Sequence, residues 1–149
     1  MKILNYTLIL LFTFGMLSCS SSGGGSDETA PVVSFNSPST SASAPTKIVS
    51  GATVSFTGTV SDNKELKSIA FSNISGSATK TVNDFITDFN AKLADEKPSS
   101  ISVLDKETYN VGFSIETLAG APAATYTMTC TVIDSSDNPT TVTFYITVE

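Results

Sequence analysis

Apolar and polar residues alternate with a period of two along four stretches of this chain, and that alternation constrains the fold more than any other feature. Val54, Phe56, Gly58 and Val60 alternate with Ser55, Thr57, Thr59 and Ser61. Tyr109, Val111, Phe113 and Ile115 do so with Asn110, Gly112 and Ser114. Tyr126, Met128, Cys130 and Val132 do so with Thr127, Thr129 and Thr131, and Val142, Phe144, Ile146 and Val148 with Thr143, Tyr145 and Thr147. Successive strand side chains point to opposite faces, so each stretch offers one face to a core and one to water. Antiparallel sheets accept that division, whereas parallel sheets covered by helices do not. Shorter strands are expected over residues 31–36 and 66–73, the second with Ile69, Phe71 and Lys67 toward one side. Asp62-Asn63-Lys64, Gly120-Ala121-Pro122-Ala123 and Asp134 to Pro139 read as turns, and residues 38–45 as a loop. Two such sheets packed face to face bury their apolar sides without helices. The expectation is an all-β, antiparallel β-sandwich.

One segment departs from this period. Across residues 81–97, Val82, Phe85, Ile86, Phe89 and Leu93 recur at helical spacing. Thr81 and Asp84 have the spacing of a capping box, Lys92 and Lys97 suit the negative end of a helix dipole, and Pro98 stops the helix. A single amphipathic helix is therefore expected to interrupt the sandwich and cover an open edge or end of it.

The N-terminus carries a targeting pattern. Lys2 precedes the short apolar run from Ile3 to Leu17, which is the layout of a secretory signal. The run is shorter than the roughly 20 apolar residues of a membrane span. Met16-Leu17-Ser18-Cys19 resembles a bacterial lipobox. The resemblance implies removal of residues 1–18 and acylation of Cys19. Ser20 to Ser26 is a Ser/Gly tract with the composition of a flexible tether, so residues 19–30 are read as lipidated Cys plus linker. Several acyl chains on one residue give stable anchoring. Ser20 after the Cys, by the same resemblance, implies the outer membrane. The side of the membrane is left open.

Composition narrows the function. The chain has 15% charged residues and a net charge of −6, with no His and no Trp. All of its basic residues are Lys. Without basic clusters, nucleic acid and anionic lipid are not expected partners. No His is available for base chemistry, and no Ser sits in a G-x-S-x-G elbow, so no enzymatic activity is expected. Cys130 lies between Met128 and Val132 on an apolar face and reads as a core residue.

Three stretches carry a family resemblance. Asp27 to Val33 resembles the start of many bacterial immunoglobulin-like repeats, Thr57 to Ile69 their second strand, turn and third strand, and Tyr126 to Asn138 their sixth strand and following loop. With the lipobox, the chain resembles small Bacteroidota-type lipoproteins carrying one immunoglobulin-like (cadherin-like) domain, here residues 31–149. The resemblance implies that Tyr126 forms a tyrosine corner, its hydroxyl bonding backbone in the preceding turn. It also implies that Asp27, Glu28, Asp62, Asp134 and Asp137 gather at one end, with the Asn63 and Asn138 carbonyls nearby. Calcium takes six to eight oxygens in loose geometry, so these residues are the candidate calcium site. The plainer explanation is that each shapes a turn. Sandwich edges can accept a partner strand, and the Thr row of the last two strands (Thr127, Thr129, Thr131, Thr141, Thr143, Thr147) could meet glycan or protein. Thr also simply suits strands. The functional expectation is an envelope binding or adhesion module for a glycan or protein. The alternative is a structural or assembly component of an outer-membrane complex with no soluble ligand.

Overall fold

A computed structural model describes residues 27–76, 80–96 and 100–149, excluding the side chains of residues 80, 81 and 100. The signal segment, Cys19, the Ser/Gly tract, Lys97, Pro98 and the side chain of Thr81 lie outside the described residues. The element order is β1 (Val32–Ser37), β2 (Thr46–Ile48), β3 (Thr53–Phe71), β4 (Ser75–Gly76), α1 (Lys80–Glu96), β5 (Ser100–Glu116), β6 (Ala124–Asp134) and β7 (Pro139–Val148).

The long strands β3 and β5 pair with each other along their whole length and serve both layers. The first half of β3 pairs with β1, from Val32↔Ser61 to Ser37↔Thr57. Its second half pairs with β6, from Leu66↔Asp134 to Phe71↔Cys130. β7 lies antiparallel beside β6, and β2 lies parallel beside β7. The hydrogen-bonded ladder is thus continuous, and it folds back on itself at the corner of β3. Ring contacts show the two layers facing each other. Phe35 of β1 meets Phe144 of β7 edge-on at 4.7 Å, and Phe56 meets Phe144 at 5.6 Å. β1 and β7 do not pair, so these contacts cross the core.

The initial strand is shared between layers, β1 on β3 and β2 on β7, while β3 crosses from one layer to the other. That is an immunoglobulin-like β-sandwich with one inserted helix. The tyrosine corner is present: Tyr126, fully buried at the start of β6, donates its hydroxyl to the Pro122 carbonyl at 3.0 Å. Burial pushes its phenol pKa up. Gly58 lets β1 lie close across β3, since a Cβ there would sit 2.6 Å from the Ser34 carbonyl oxygen and 2.7 Å from the Phe35 ring. Cys130 is fully buried in the core between Met128 and Val132, and burial pushes its thiol up to about 12.

The helix closes one end. Val82, Phe85, Phe89 and Leu93 are buried. Phe85 packs on Tyr126 at 4.4 Å between ring centroids, and Asn90 accepts the Ile74 N–H at 2.8 Å. Its apolar stripe therefore covers the end of the sandwich where β5 finishes and β6 starts. Lys92 does not serve the helix C-terminus. It pairs with Asp88 at 3.0 Å and donates to the Glu116 carbonyl at 3.0 Å, tying α1 to the end of β5.

Three details differ from the sequence reading. Asp62-Asn63-Lys64 does not interrupt the strand: β3 runs through it as a bulged corner, with irregular register between Ser61 and Leu66. A second irregularity between Leu66 and Ser68 turns Lys67 outward, so Leu66, and not Lys67, shares the inward side with Ile69 and Phe71, as expected for those two. β2 and the first half of β5 occupy segments that carry no clear alternation.

Candidate functional site

The end opposite the helix is built from three places in the sequence. Asp27 lies five residues before β1. Asp62 lies in the β3 corner, and Asp134 is the last residue of β6. One carboxylate oxygen from each of these three lies within 4.8 Å of the others. Asp134 is fully buried, Asp27 is 8% exposed, and Asp62 is half-buried.

Local bonding fixes each member differently. Asp134 begins a tight turn in which its Oδ1 accepts the backbone N–H groups of Ser136 (2.9 Å) and Asn138 (2.7 Å). The turn closes through Asp137, at φ 69°, and Asp134 N donates to the Asn138 carbonyl. Asp134 Oδ2 accepts Asn138 Nδ2 at 2.7 Å. Asp62 Oδ1 accepts the Lys64 N–H at 3.0 Å, an Asx-type bond within the corner. Asp27 Oδ1 accepts the Thr29 N–H at 3.0 Å and Asn63 Nδ2 at 3.2 Å. The Thr29 N–H is the main cause holding the Asp27 carboxyl below its usual pKa. Burial opposes it, while the Asn63 amide and the Lys64 charge add to the lowering.

What these bonds leave over is informative. An ionised carboxylate offers about four acceptor positions. Asp27 Oδ2 and Asp62 Oδ2 are both buried and accept no hydrogen bond. Buried polar atoms are normally paired, so two unpaired anionic oxygens beside a third carboxylate call for an explanation. Turn formation accounts for the Oδ1 atoms of Asp27 and Asp62 but for neither Oδ2.

The structure brings together three of the five acidic residues expected here. Glu28 is exposed beside Asp27. Asp137 is directed elsewhere, its Oδ1 pairing with Lys67 at 2.5 Å. Neither belongs to the 4.8 Å cluster. Asn63 and Asn138 are present but turn amide hydrogens, not carbonyls, toward the carboxylates. Asn138 Nδ2 also donates to the Asp27 carbonyl at 2.7 Å, and Thr140 Oγ1 to the Pro31 carbonyl at 2.6 Å. Thr140 was not singled out by sequence, because nothing in its local pattern signals a bond to a residue 109 positions earlier.

Part of the Thr row on the outer face is engaged in hydroxyl pairs, one within the row and one with Thr125 beside it. Thr131 and Thr141 hydroxyls lie 2.9 Å apart, and Thr125 and Thr147 hydroxyls 3.0 Å apart. Cross-strand hydroxyl pairs of this kind stabilise the sheet itself.

No protein-family model and no curated protein matches the chain. Among solved structures, it is similar to a Niemann-Pick type C2 protein from Japanese carpenter ant, at 12% identity and a TM-score of 0.37, over 85% of this chain and 96% of that one. The strand pairing and the tyrosine corner define the fold.

Proposed function

We propose that this protein is a lipid-anchored, outer-membrane binding module whose loop end is organised by a calcium ion. The observation that carries the calcium assignment is the pair of buried, unpartnered oxygens, Asp27 Oδ2 and Asp62 Oδ2, within reach of Asp134. The donor set consists of carboxylates, hard oxygens that suit calcium rather than a thiol- or imidazole-seeking metal. Three carboxylates would more than balance a divalent charge. Solvent and backbone carbonyls would complete six to eight ligands.

Anchoring rests on the lipobox-like Met16 to Cys19 and the Ser/Gly tract after it. The binding role rests on the immunoglobulin-like sandwich, whose sheet edges can accept a partner strand. Its partner would be an envelope protein or a glycan.

The test is thermal unfolding of the full chain in millimolar calcium and in chelator. A ligand that binds only the folded state stabilises it by about 2.7 kcal/mol at a hundredfold excess over its Kd. Calcium should raise Tm, and Asp134→Asn should remove the rise. An unchanged Tm at millimolar calcium would sink the reading and leave the three carboxylates as turn and corner formers.

A further inference from the structure

The three carboxylates are not equally anchored. Asp62 sits inside β3, and Asp134 ends β6 in a turn bonded three times to its own carboxylate. Asp27 precedes the ladder, whose first pair in β1 is Val32↔Ser61. Between them Glu28, Thr29 and Ala30 are exposed. Residues 27–31 reach the sandwich body through the buried ring of Pro31 and three polar contacts: Asn63 to Asp27 Oδ1, Asn138 to the Asp27 carbonyl, and Thr140 to the Pro31 carbonyl. Yet Asp27 is 8% exposed, and its Oδ2 is buried with no donor.

From this asymmetry we infer that the cation is a clasp. Resting on the calcium reading above, the ion fastens residues 27–31 to the sandwich, and its loss releases them as extra linker. Three carboxylates this close repel one another, and the single Lys64 charge near Asp27 does not balance three. The member held by the fewest ladder bonds is the one that leaves, and that member is Asp27. Five released residues extend by up to roughly 17 Å. Calcium concentration would then set the distance and freedom of the sandwich relative to whatever fastens the preceding chain.

Amide hydrogen exchange on the full chain, with calcium and with chelator, tests this directly. Calcium is expected to slow exchange at least tenfold in residues 27–31, and also in residues 62–64 and 134–138. Asp27→Asn keeps an Oδ1 acceptor for Thr29 and Asn63 but lacks the charge. In that variant, residues 27–31 should exchange at the fast rate in both conditions, while the β6 and β7 strand amides stay as protected as in the parent chain. Slowing at residues 62–64 and 134–138 alone, with residues 27–31 unchanged, would overturn the clasp and keep the cation site. No slowing anywhere would remove both.

Discussion

The two ends of this sandwich solve the same problem by opposite means. Each must close a gap between facing sheets where strands turn. At one end α1 inserts Phe85 and Phe89 and packs on Tyr126, whose hydroxyl is spent on Pro122. That end is largely apolar: the Tyr126 hydroxyl is matched, and the buried Asp88 Oδ2, which accepts no hydrogen bond, faces the Lys92 ammonium at 3.0 Å. At the other end the chain brings Asp27, Asp62 and Asp134 together and leaves two buried oxygens unmatched. The difference separates a closure in which packing and hydrogen bonding are complete from one that leaves two carboxylate oxygens without a hydrogen bond. Burial of aromatic area does not depend on pH or on which cations are present, whereas the charge on a carboxylate cluster responds to protons and cations.

Four measurements break or sharpen that contrast. The largest effect is expected from Phe89→Ala, which empties a fully buried site under the helix. The loss should be about 3–5 kcal/mol by denaturant titration, the same with calcium or chelator. A calcium-dependent loss would mean that the ends are coupled. Tyr126→Phe removes one buried hydroxyl bond and should cost about 1–1.5 kcal/mol, again regardless of calcium. Asp62→Asn should act with opposite signs in the two conditions. In chelator it relieves repulsion and raises Tm by about 2 °C; in calcium it lowers Tm relative to the parent chain. A loss of stability in both conditions would show that the Asp62 charge serves the corner rather than an ion. Smallest of all, Glu28→Ala and Asp137→Asn should each change stability by less than about 0.5 kcal/mol and leave the calcium shift in place. Glu28 is exposed, the Asp137 side chain forms a surface ion pair with Lys67, and Asn tolerates the φ of 69° at that turn position.

The strands were legible wherever the period of two ran unbroken. Val54 to Val60 and Tyr126 to Val132 both alternate as expected, with the apolar partner in the core. Legibility failed where the backbone broke that period. In the first half of β5, Val103 is buried but Leu104 is 60% exposed, and Asp105 follows at φ 61°. Two adjacent apolar residues on opposite faces, next to a left-handed residue, give no periodic signal. β2 has three residues and pairs in parallel with a strand a hundred positions away, so its local pattern carries little information. The corner at Asp62 shows the converse problem. Its residues have turn chemistry, yet the strand continues, because pairing with β5 resumes at Leu66.

The site was half legible for a related reason. Residue type and fold resemblance placed the acidic residues at one end. They did not distinguish Asp27 from Glu28, which are adjacent in a segment of linker-like composition. What buries Asp27 is the pair of amide groups from Asn63 and Asn138, each far along the chain. Asp137 looked equivalent to Asp134 until Lys67, turned outward by the bulge in β3, claimed it. The Asn side chains were expected as carbonyl donors to an ion, but they act as struts.

The positions of Asp27 and Glu149 have a mechanical meaning. Asp27 lies at the carboxylate end, whereas Val148 pairs with Ala124 and sits beside Ile48 near the helix end. Tension applied between residues 27 and 149 therefore runs along β1 and β7, parallel to the strands. Loaded this way, a ladder is sheared, and its hydrogen bonds resist together rather than peeling one after another. Between Val32 and Val148, the sandwich is thus oriented so that a load is resisted along its strands.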